Sequence, residues 1–374
     1  MSHTKFLPLA LFPAEIKILV LSSMSDYESM KSLAHTSSSY HQAYLKAQED
    51  ILHHVTTNTL REVGLGLLDP WSAIHAPRLG MTVPNRMDII NAFLDDYGQG
   101  RLSGNQRLSI EDSLNILSLH IKIKFIIDNF CQVNLSRNPL YISEGLQLGP
   151  GYQSSLVPQP SYTEIHRLYR AFWRWALYSK LFFTNAESLS RFDAAQRASG
   201  AHTENVHHAE DVASDFLGSF PIHEVEEIAS LYSFIKHQFE GIFRPFSIDP
   251  VIDLGPAFVY SIMVAPSKQD KHDIIYSMPP RFGPTMRNTL HAYEWIVSGG
   301  QGWPRKTTKK SLRVDSVPTD GWLWASLRGA QNTDYRLRRW GYVFWDRIRL
   351  DEWGVNQQRL LNWPWPKRDT DRRG

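Results

Sequence analysis

Apolar residues recur at steps of three and four along most of this 374-residue chain, a period typical of amphipathic helices. The first stripe runs through Ile16, Leu19, Val20 and Met24. The next two stripes comprise Met30, Leu33, Ser37, Tyr40 and Tyr44, and then Ala47, Ile51, Val55 and Leu60. Three short amphipathic helices in sixty residues cannot bury their apolar faces fully against one another. This region therefore needs the rest of the chain, or a partner, to cover them.

Local signals mark where these helices begin. Pro13 has a fixed φ and no amide donor, which suits the start of a helix, and Glu15 follows in the first turn, where the helix dipole favours a carboxylate. Ser25-Asp26 is a turn and cap signal that predicts the start of the second helix.

The same reasoning predicts helices in the rest of the chain. Ser109–Phe130 carries apolar residues on two faces, which predicts a helix buried by several neighbours. Ser161 and Glu164 form a capping-box pattern opening a helix to about Phe183, and Pro221 starts another. Further helical patterns cover residues 257–264, 267–277 and 284–297. We expect the outer face of the helix after Ser161 to carry Arg167, Arg170 and Arg174.

No sustained period-two strand and no internal repeat is found. The sequence therefore predicts an all-α fold, with an N-terminal three-helix module followed by a larger irregular helical domain. Residues 64–85 are rich in Gly, Pro and His. We accordingly divide the chain into a module at 1–62, a linker at 63–84, a helical partner-binding domain at 85–366 and a basic tail at 367–374.

The order of residues in the N-terminal module resembles the F-box, a short helical module. The family's Leu-Pro, Glu-Ile and Ile-Leu places are held by Phe12-Pro13, Glu15-Ile16 and Val20-Leu21. Its Leu-x-x-Leu step is Met30 and Leu33, its Val-Ser place is Thr36-Ser37, and Tyr40 stands where a tryptophan is usual. Phe12 and Tyr40 are the two departures, and both keep an apolar body. The pattern is similar to the divergent F-box-like proteins of filamentous fungi.

The resemblance implies a non-enzymatic protein that docks onto the Skp-type adaptor of a cullin-based SCF ubiquitin ligase and recruits an unknown substrate. It assigns the adaptor contact to ten residues: Phe12, Pro13, Glu15, Ile16, Leu19, Val20, Leu21, Met30, Leu33 and Tyr40. One alternative is a stand-alone helical interaction protein whose first helices are only a layer of one core. Another is an enzyme of unfamiliar type.

Aromatic and basic residues concentrate at the C-terminus. Nine of the twelve tryptophans lie from Trp295 onward, and residues 301–374 carry 16 Lys and Arg against 8 Asp and Glu. Residues 341–350 also resemble the end of the same fungal group. The rings can close the core, or they can form a recognition surface, for which the candidates are Trp340, Tyr342, Trp345 and Arg347. Arg347 and Asp351 are spaced for an ion pair. Nucleic-acid binding is the weaker interpretation of this surface.

Composition and the absence of known motifs limit the compartment and the chemistry that we expect of this protein. A single cysteine, Cys131, fits a reducing compartment and is expected to be a buried, inert thiol. We expect an intracellular protein, in the cytoplasm or nucleus, without a signal peptide or membrane span. None of the familiar hydrolase, phosphate-loop, dinucleotide or zinc-protease motifs occurs, so no catalytic residue, cofactor or metal is predicted. The one polar constellation is His202–Asp211, where His207 with Asp211 and Glu204 with His208 are each spaced as a helical pair that could hold a metal ion. A solvated segment is the favoured interpretation, because such polar residues usually lie at the surface.

Overall fold

The computed structural model describes residues 11–76, 86–103, 107–136, 158–182, 212–243, 248–277, 286–290, 321–323 and 335–353. Every regular element in these ranges is helical, which confirms the predicted all-α fold. In chain order the α-helices with defined bounds are α1 Ala14–Ser22, α2 Tyr27–His35, α3 Ser38–Lys46, α4 Gln48–Glu62, α5 Leu68–His75, α6 Arg86–Gly98, α7 Ile110–Leu135, α8 Tyr162–Phe182, α9 Ile222–Phe243, α10 Asp249–Asp253, α11 Pro256–Val264, α12 Lys268–Tyr276, α13 Tyr335–Trp340 and α14 Arg347–Glu352. Residues 212–218, 286–290 and 321–323 are helical as well. Short 3₁₀ turns lie at Arg101–Ser103 and Tyr342–Phe344. No described helix combines the length and the apolar character that crossing a bilayer requires.

The N-terminal region contains four helices and not three. The stripe from Met30 to Tyr44 is divided between α2 and α3, because Ser37 takes an extended conformation and its side chain accepts a hydrogen bond from the amide of Tyr40. The apolar period continues across this break, so periodicity alone could not locate it. Helix α1 packs against α3 and α4, and α2 packs against α3.

The range predicted as a linker contains an ordered helix. Helix α5 packs against α8, and its Asp69 is buried and accepts a hydrogen bond of 2.7 Å from the hydroxyl of Tyr97. Trp71 packs against the main core and stacks on His75. Residues 64–76 therefore form part of the body.

Helix α7 joins the two parts of the molecule. Its N-terminus is capped by Ser109, whose side chain accepts a hydrogen bond from the amide of Asp112 at 3.1 Å. The stripe containing Ile116, Ile123 and Ile127 is buried, whereas Ile121 and Phe125 on the other stripe are 40% and 41% exposed. The prediction that both faces are buried is therefore wrong for the middle of this helix.

The two long helices α8 and α9 pack against each other in the body. The capping box at the start of α8 is confirmed: Ser161 N donates to the carboxylate of Glu164 at 2.8 Å, and Glu164 N donates to Ser161 Oγ at 3.2 Å. The predicted outer face of α8 is wrong, because Arg174 is fully buried and Arg170 nearly so. Both arginines form ion pairs with glutamates at the start of α9.

The buried apolar side chains form two clusters. The larger one fills the body and includes residues of α5 to α11 and the C-terminal segment. The smaller one belongs to the N-terminal helices, with Leu21, Met30, Tyr40, Ile51, Leu52 and Val55. Its one buried member from outside these helices is Leu117 of α7. The N-terminal module thus has its own core, which α7 completes.

Candidate partner-docking surface

Helix α1 has one face turned into the module and one turned outward. Leu21 is fully buried, and Lys17 is 6% exposed with its ammonium 5.8 Å from the centre of the Tyr40 ring. The helical period places the opposite face along Phe12, Glu15, Ile16 and Leu19.

This outward face is mainly apolar. Leu19 is 64% exposed and Ile16 is 41% exposed, and Phe12 and Val20 are part-exposed beside them. We call the side chains of Phe12, Ile16, Leu19 and Val20 the α1 strip. Scattered exposed apolar residues are ordinary on proteins, but here three lie on the outward side of α1, and Phe12 stands two residues before the helix begins, so together they form an apolar patch. The α1 strip therefore has the character of a surface that another protein can cover.

Hydrogen bonds hold the end of α1 and the turn into α2 against α4. Asn58 Nδ2 donates to the carbonyls of Ser22 and Met24 at 2.9 and 3.2 Å, and Thr59 Oγ1 donates to the carbonyl of Ser25 at 2.7 Å. Helix α2 then begins at a cap, where the amide of Ser29 donates to Asp26 at 2.8 Å. A hydrogen bond from the side chain of Ser29, supported by the one from its amide, lowers the pKa of Asp26, so the cap is charged at neutral pH. The strip is thus presented by a helix with a fixed orientation.

The ten residues assigned to adaptor contact fall into two groups. Pro13, Glu15, Ile16 and Leu19 are exposed, and Phe12, Val20 and Leu33 are part-exposed, with Leu33 packed against the small core. Leu21, Met30 and Tyr40 lie inside that core at 2% exposure or less. A partner meeting this conformation reaches the first group, while the buried three support the module from within.

The aromatic candidates at the C-terminus lie in the main core. Trp340, Tyr342 and Trp345 are 7%, 2% and 0% exposed, which agrees with the interpretation that the rings close the core. Arg347 is exposed and pairs with Asp351 at 3.0 Å, as its spacing predicts. In this conformation, therefore, Arg347 is accessible while these three rings are enclosed.

A glycine separates the two helical elements at the start of the C-terminal segment. Gly341 has φ of +73°, in the left-handed region that disfavours other residues, and a β-carbon there would collide with the ring of Phe130. The chain therefore turns between α13 and the 3₁₀ turn, and Ile348 points into solvent with 74% exposure. The end of this segment is held to α8 by Arg349, which donates to both carboxylate oxygens of Glu164.

Among the described residues, a buried ionic cluster in the body is the nearest arrangement to a catalytic constellation. Arg174 pairs with Glu224 and lies 3.6 Å from Asp69, while Arg170 pairs with Glu224 at 2.8 Å and with Glu227. All three carboxylates are less than 7% exposed. Burial raises the pKa of Glu227 against the opposing effect of Arg170.

The geometry of this cluster favours a structural role. Its carboxylates accept hydrogen bonds from side chains of neighbouring helices. Because the carboxylates are buried, a substrate in solution cannot reach them. Burial also lowers the pKa of the adjacent His223 to about 4, which makes that imidazole a neutral group at physiological pH. The cluster joins α5, α6, α8 and α9 through polar contacts.

Other candidate chemistry finds no site in the described part of the chain. Cys131 is buried, and burial raises the pKa of its thiol to about 12, which agrees with the expected inert thiol. The described residues contain no group of three or more His, Cys, Asp or Glu side chains that could hold a metal ion. The segment His202–Asp211 lies outside the described residues.

Sequence reasoning missed the ionic cluster, although a signal for it exists. Arg170 and Arg174 are spaced to share a face of α8, and Glu224 and Glu227 are spaced to share a face of α9. Matching an arginine face with a glutamate face on another helix could have predicted that the two helices pair.

Comparison with known proteins found no relative of this chain. No family model, no curated protein and no solved structure matches it. Its function must therefore be argued from its own residues.

Proposed function

We propose that the N-terminal helices dock this chain onto a Skp-type adaptor of an SCF ubiquitin ligase, and that the helical body holds a substrate. The observation that carries the proposal is the α1 strip, an apolar face left uncovered on a helix whose other face closes a core. The F-box-like order of residues from Phe12 to Tyr40 supports a Skp-type adaptor as the class of partner.

The energetics of the strip are suited to a docking surface. Covering a side chain such as Leu19 or Ile16 removes apolar area from water and contributes about 1.5–3 kcal/mol when burial is complete. The two residues follow each other by three positions, so they present neighbouring anchors. Amphipathic helices recognise grooves through anchors at this spacing.

The proposed protein performs no covalent chemistry of its own. Ubiquitin transfer belongs to other subunits of the ligase. This chain would only need to hold the adaptor and the substrate at a fixed distance and orientation. Contacts between the module and the body support such a fixed orientation. Asp50 of α4 pairs with Arg107, the amide of Leu108 donates to His53 Nδ1 at 3.2 Å, and Leu117 enters the small core.

A capture experiment with purified components tests the proposal. Immobilised Skp-type adaptor should retain the full chain but not the Ile16→Asp, Leu19→Asp double variant, because both carboxylates would be buried in the contact without a partner. Leu45→Asp provides a matched control, since Leu45 is 52% exposed on α3 of the same module. Equal retention of the double variant and the full chain would contradict the proposal.

The contacts between the module and the body also support a second candidate, a stand-alone interaction protein with no ligase link. Leu117 is the specific observation, because a core shared between α7 and α1–α4 suits a single folding unit. Under this alternative the adaptor retains none of the variants. Deletion of residues 1–62 should then unfold the remaining helices, which limited proteolysis would show as loss of any resistant fragment.

A further inference from the structure

Ser23 occupies a distinctive place beside the α1 strip. It is the exposed C-cap residue directly after α1, and its amide donates to the carbonyl of Leu19 at 3.0 Å. Its hydroxyl donates to the carbonyl of Val20 at 2.8 Å. Since Ser23 follows Leu19 by four positions, it lies one turn further along the outward face.

Residues 24–26, between Ser23 and the start of α2, are not helical, and acidic side chains stand at the end of this connection and in the first turn of α2. Asp26 and Glu28, three and five positions later, are both exposed. Kinases select substrates partly by the pattern of charge around the acceptor, and a basic substrate cleft complements such a segment. Ser25 is less suited as the acceptor, because it is only part-exposed and its hydroxyl donates to the carboxylate of Glu62.

We propose that Ser23 is a phosphorylation site and that its phosphate releases the α1 strip from its partner. A kinase would transfer the γ-phosphoryl group of a nucleoside triphosphate to Ser23 Oγ. The new bond joins Oγ to phosphorus, the bond between the γ-phosphorus and the bridging oxygen breaks, the nucleoside diphosphate leaves and the hydroxyl proton is released. The release of the adaptor rests on the function proposed above.

The position of the phosphate explains why it would oppose docking. Phosphoserine carries about −1.5 to −2 charges at pH 7 and adds them at the C-terminal end of α1, where the helix dipole is negative. Phosphorylation also replaces the hydroxyl that donates to Val20. Asp26 adds a nearby negative charge in the turn between α1 and α2. We therefore expect the last turn of α1 to loosen and Leu19 to become a poorer anchor.

The experiment uses the purified full chain, ATP and an acidophilic serine kinase that selects an acidic residue three positions after the acceptor. Mass spectrometry should locate a phosphate on Ser23 that is missing from the Ser23→Ala variant. Amide hydrogen exchange at residues 22–24 should accelerate in the phosphorylated chain. Capture by immobilised Skp-type adaptor should fall about tenfold, as expected for a dianion at the edge of an apolar contact.

Ser277 offers a control with the same local geometry. It caps the C-terminus of α12, is exposed, and its hydroxyl donates to the carbonyl three residues earlier, that of Ile274, at 2.7 Å. Ser277→Glu should leave adaptor capture unchanged, whereas Ser23→Glu should reduce it.

Each outcome bears on a defined part of the proposal. Failure of the kinase to modify Ser23 would overturn the modification site, and a phosphate on Ser23 with unchanged capture would overturn the switch. If the adaptor does not retain even the unmodified chain, the proposed function fails and the switch fails with it. A phosphate on Ser23 with faster exchange would still support the modification site in that case.

Discussion

The body and the N-terminal module differ in which side chains they enclose and which they leave in solvent. The body encloses charged side chains in its centre, where Arg174, Glu224 and Glu227 are each at most 2% exposed. The module has a small core and leaves apolar side chains of α1 in solvent. Charged side chains enclosed in the body pair with one another and are not accessible to a partner. An uncovered apolar face, in contrast, is suited to contact another molecule.

The sharpest test of this contrast is removal of a charge from the body. Arg174→Ala leaves Asp69 and Glu224 with one fewer cation in a buried site, so we expect unfolding to become about 3–5 kcal/mol easier. Urea denaturation monitored by tryptophan fluorescence measures this change. Arg347→Ala, which breaks the exposed pair with Asp351, should cost less than about 1 kcal/mol. Similar losses in the two variants would refute the structural role of the cluster.

The second prediction tests how separate the two regions are. Leu117 is 2% exposed in the small core, so Leu117→Ala should cost roughly 2–3 kcal/mol, near the lower end of the usual range because a core at an interface can partly collapse. Ile121→Ala, on the same helix but 40% exposed, should cost much less.

Hydrogen exchange shows where the Leu117→Ala loss acts. If the module has its own core, protection should fall in α1–α4 while the amides of α8 and α9 keep theirs. Uniform loss of protection over all these helices would instead indicate a single folding unit, as the stand-alone alternative requires.

The third prediction concerns pH and His120 of α7, which stacks on Tyr169 with ring centres 4.7 Å apart. Burial lowers the pKa of His120 to about 4, and Lys124 adds to this effect. Between its ordinary pKa of 6.5 and about 4, the unfolded chain takes up a proton that the folded chain does not, so stability falls as pH falls.

The size of the effect follows from the same two values. Lowering the pH from 7 to 5 should cost the protein about 2 kcal/mol through this residue. The His120→Phe variant keeps an aromatic ring beside Tyr169 and should lose that part of the dependence. Urea denaturation at both pH values measures it, and an unchanged pH dependence in the variant would contradict the assignment to His120.

The parts of the fold that could be predicted from sequence depend on local interactions. The capping box of Ser161 and Glu164, the start of α9 at Pro221 and the pair between Arg347 and Asp351 each involve residues within one or two turns. Such contacts are visible in residue spacing.

The parts that could not be predicted depend on partners distant in sequence. Arg174 has the spacing of a solvent-facing residue on α8 and is buried because α9 supplies Glu224 and α5 supplies Asp69. Ile121 has the spacing of a core residue, and nothing in the described part of the chain covers it fully. In the candidate site the strip on α1 was predicted as a set of contacts, but the sequence could not distinguish Leu19, which is outside, from Leu21, which is inside.

The smallest expected effect concerns the α1 strip itself. Leu19 is 64% exposed, so Leu19→Asp removes little buried apolar area and should change the free energy of unfolding by no more than about 0.5 kcal/mol. Leu21→Asp, two positions later, would place a carboxylate in the small core and should strongly destabilise the module. Thermal unfolding followed by circular dichroism compares the two variants. A large loss of stability in Leu19→Asp would show that the chain itself covers this residue in solution, and the docking surface would then be part of the interior.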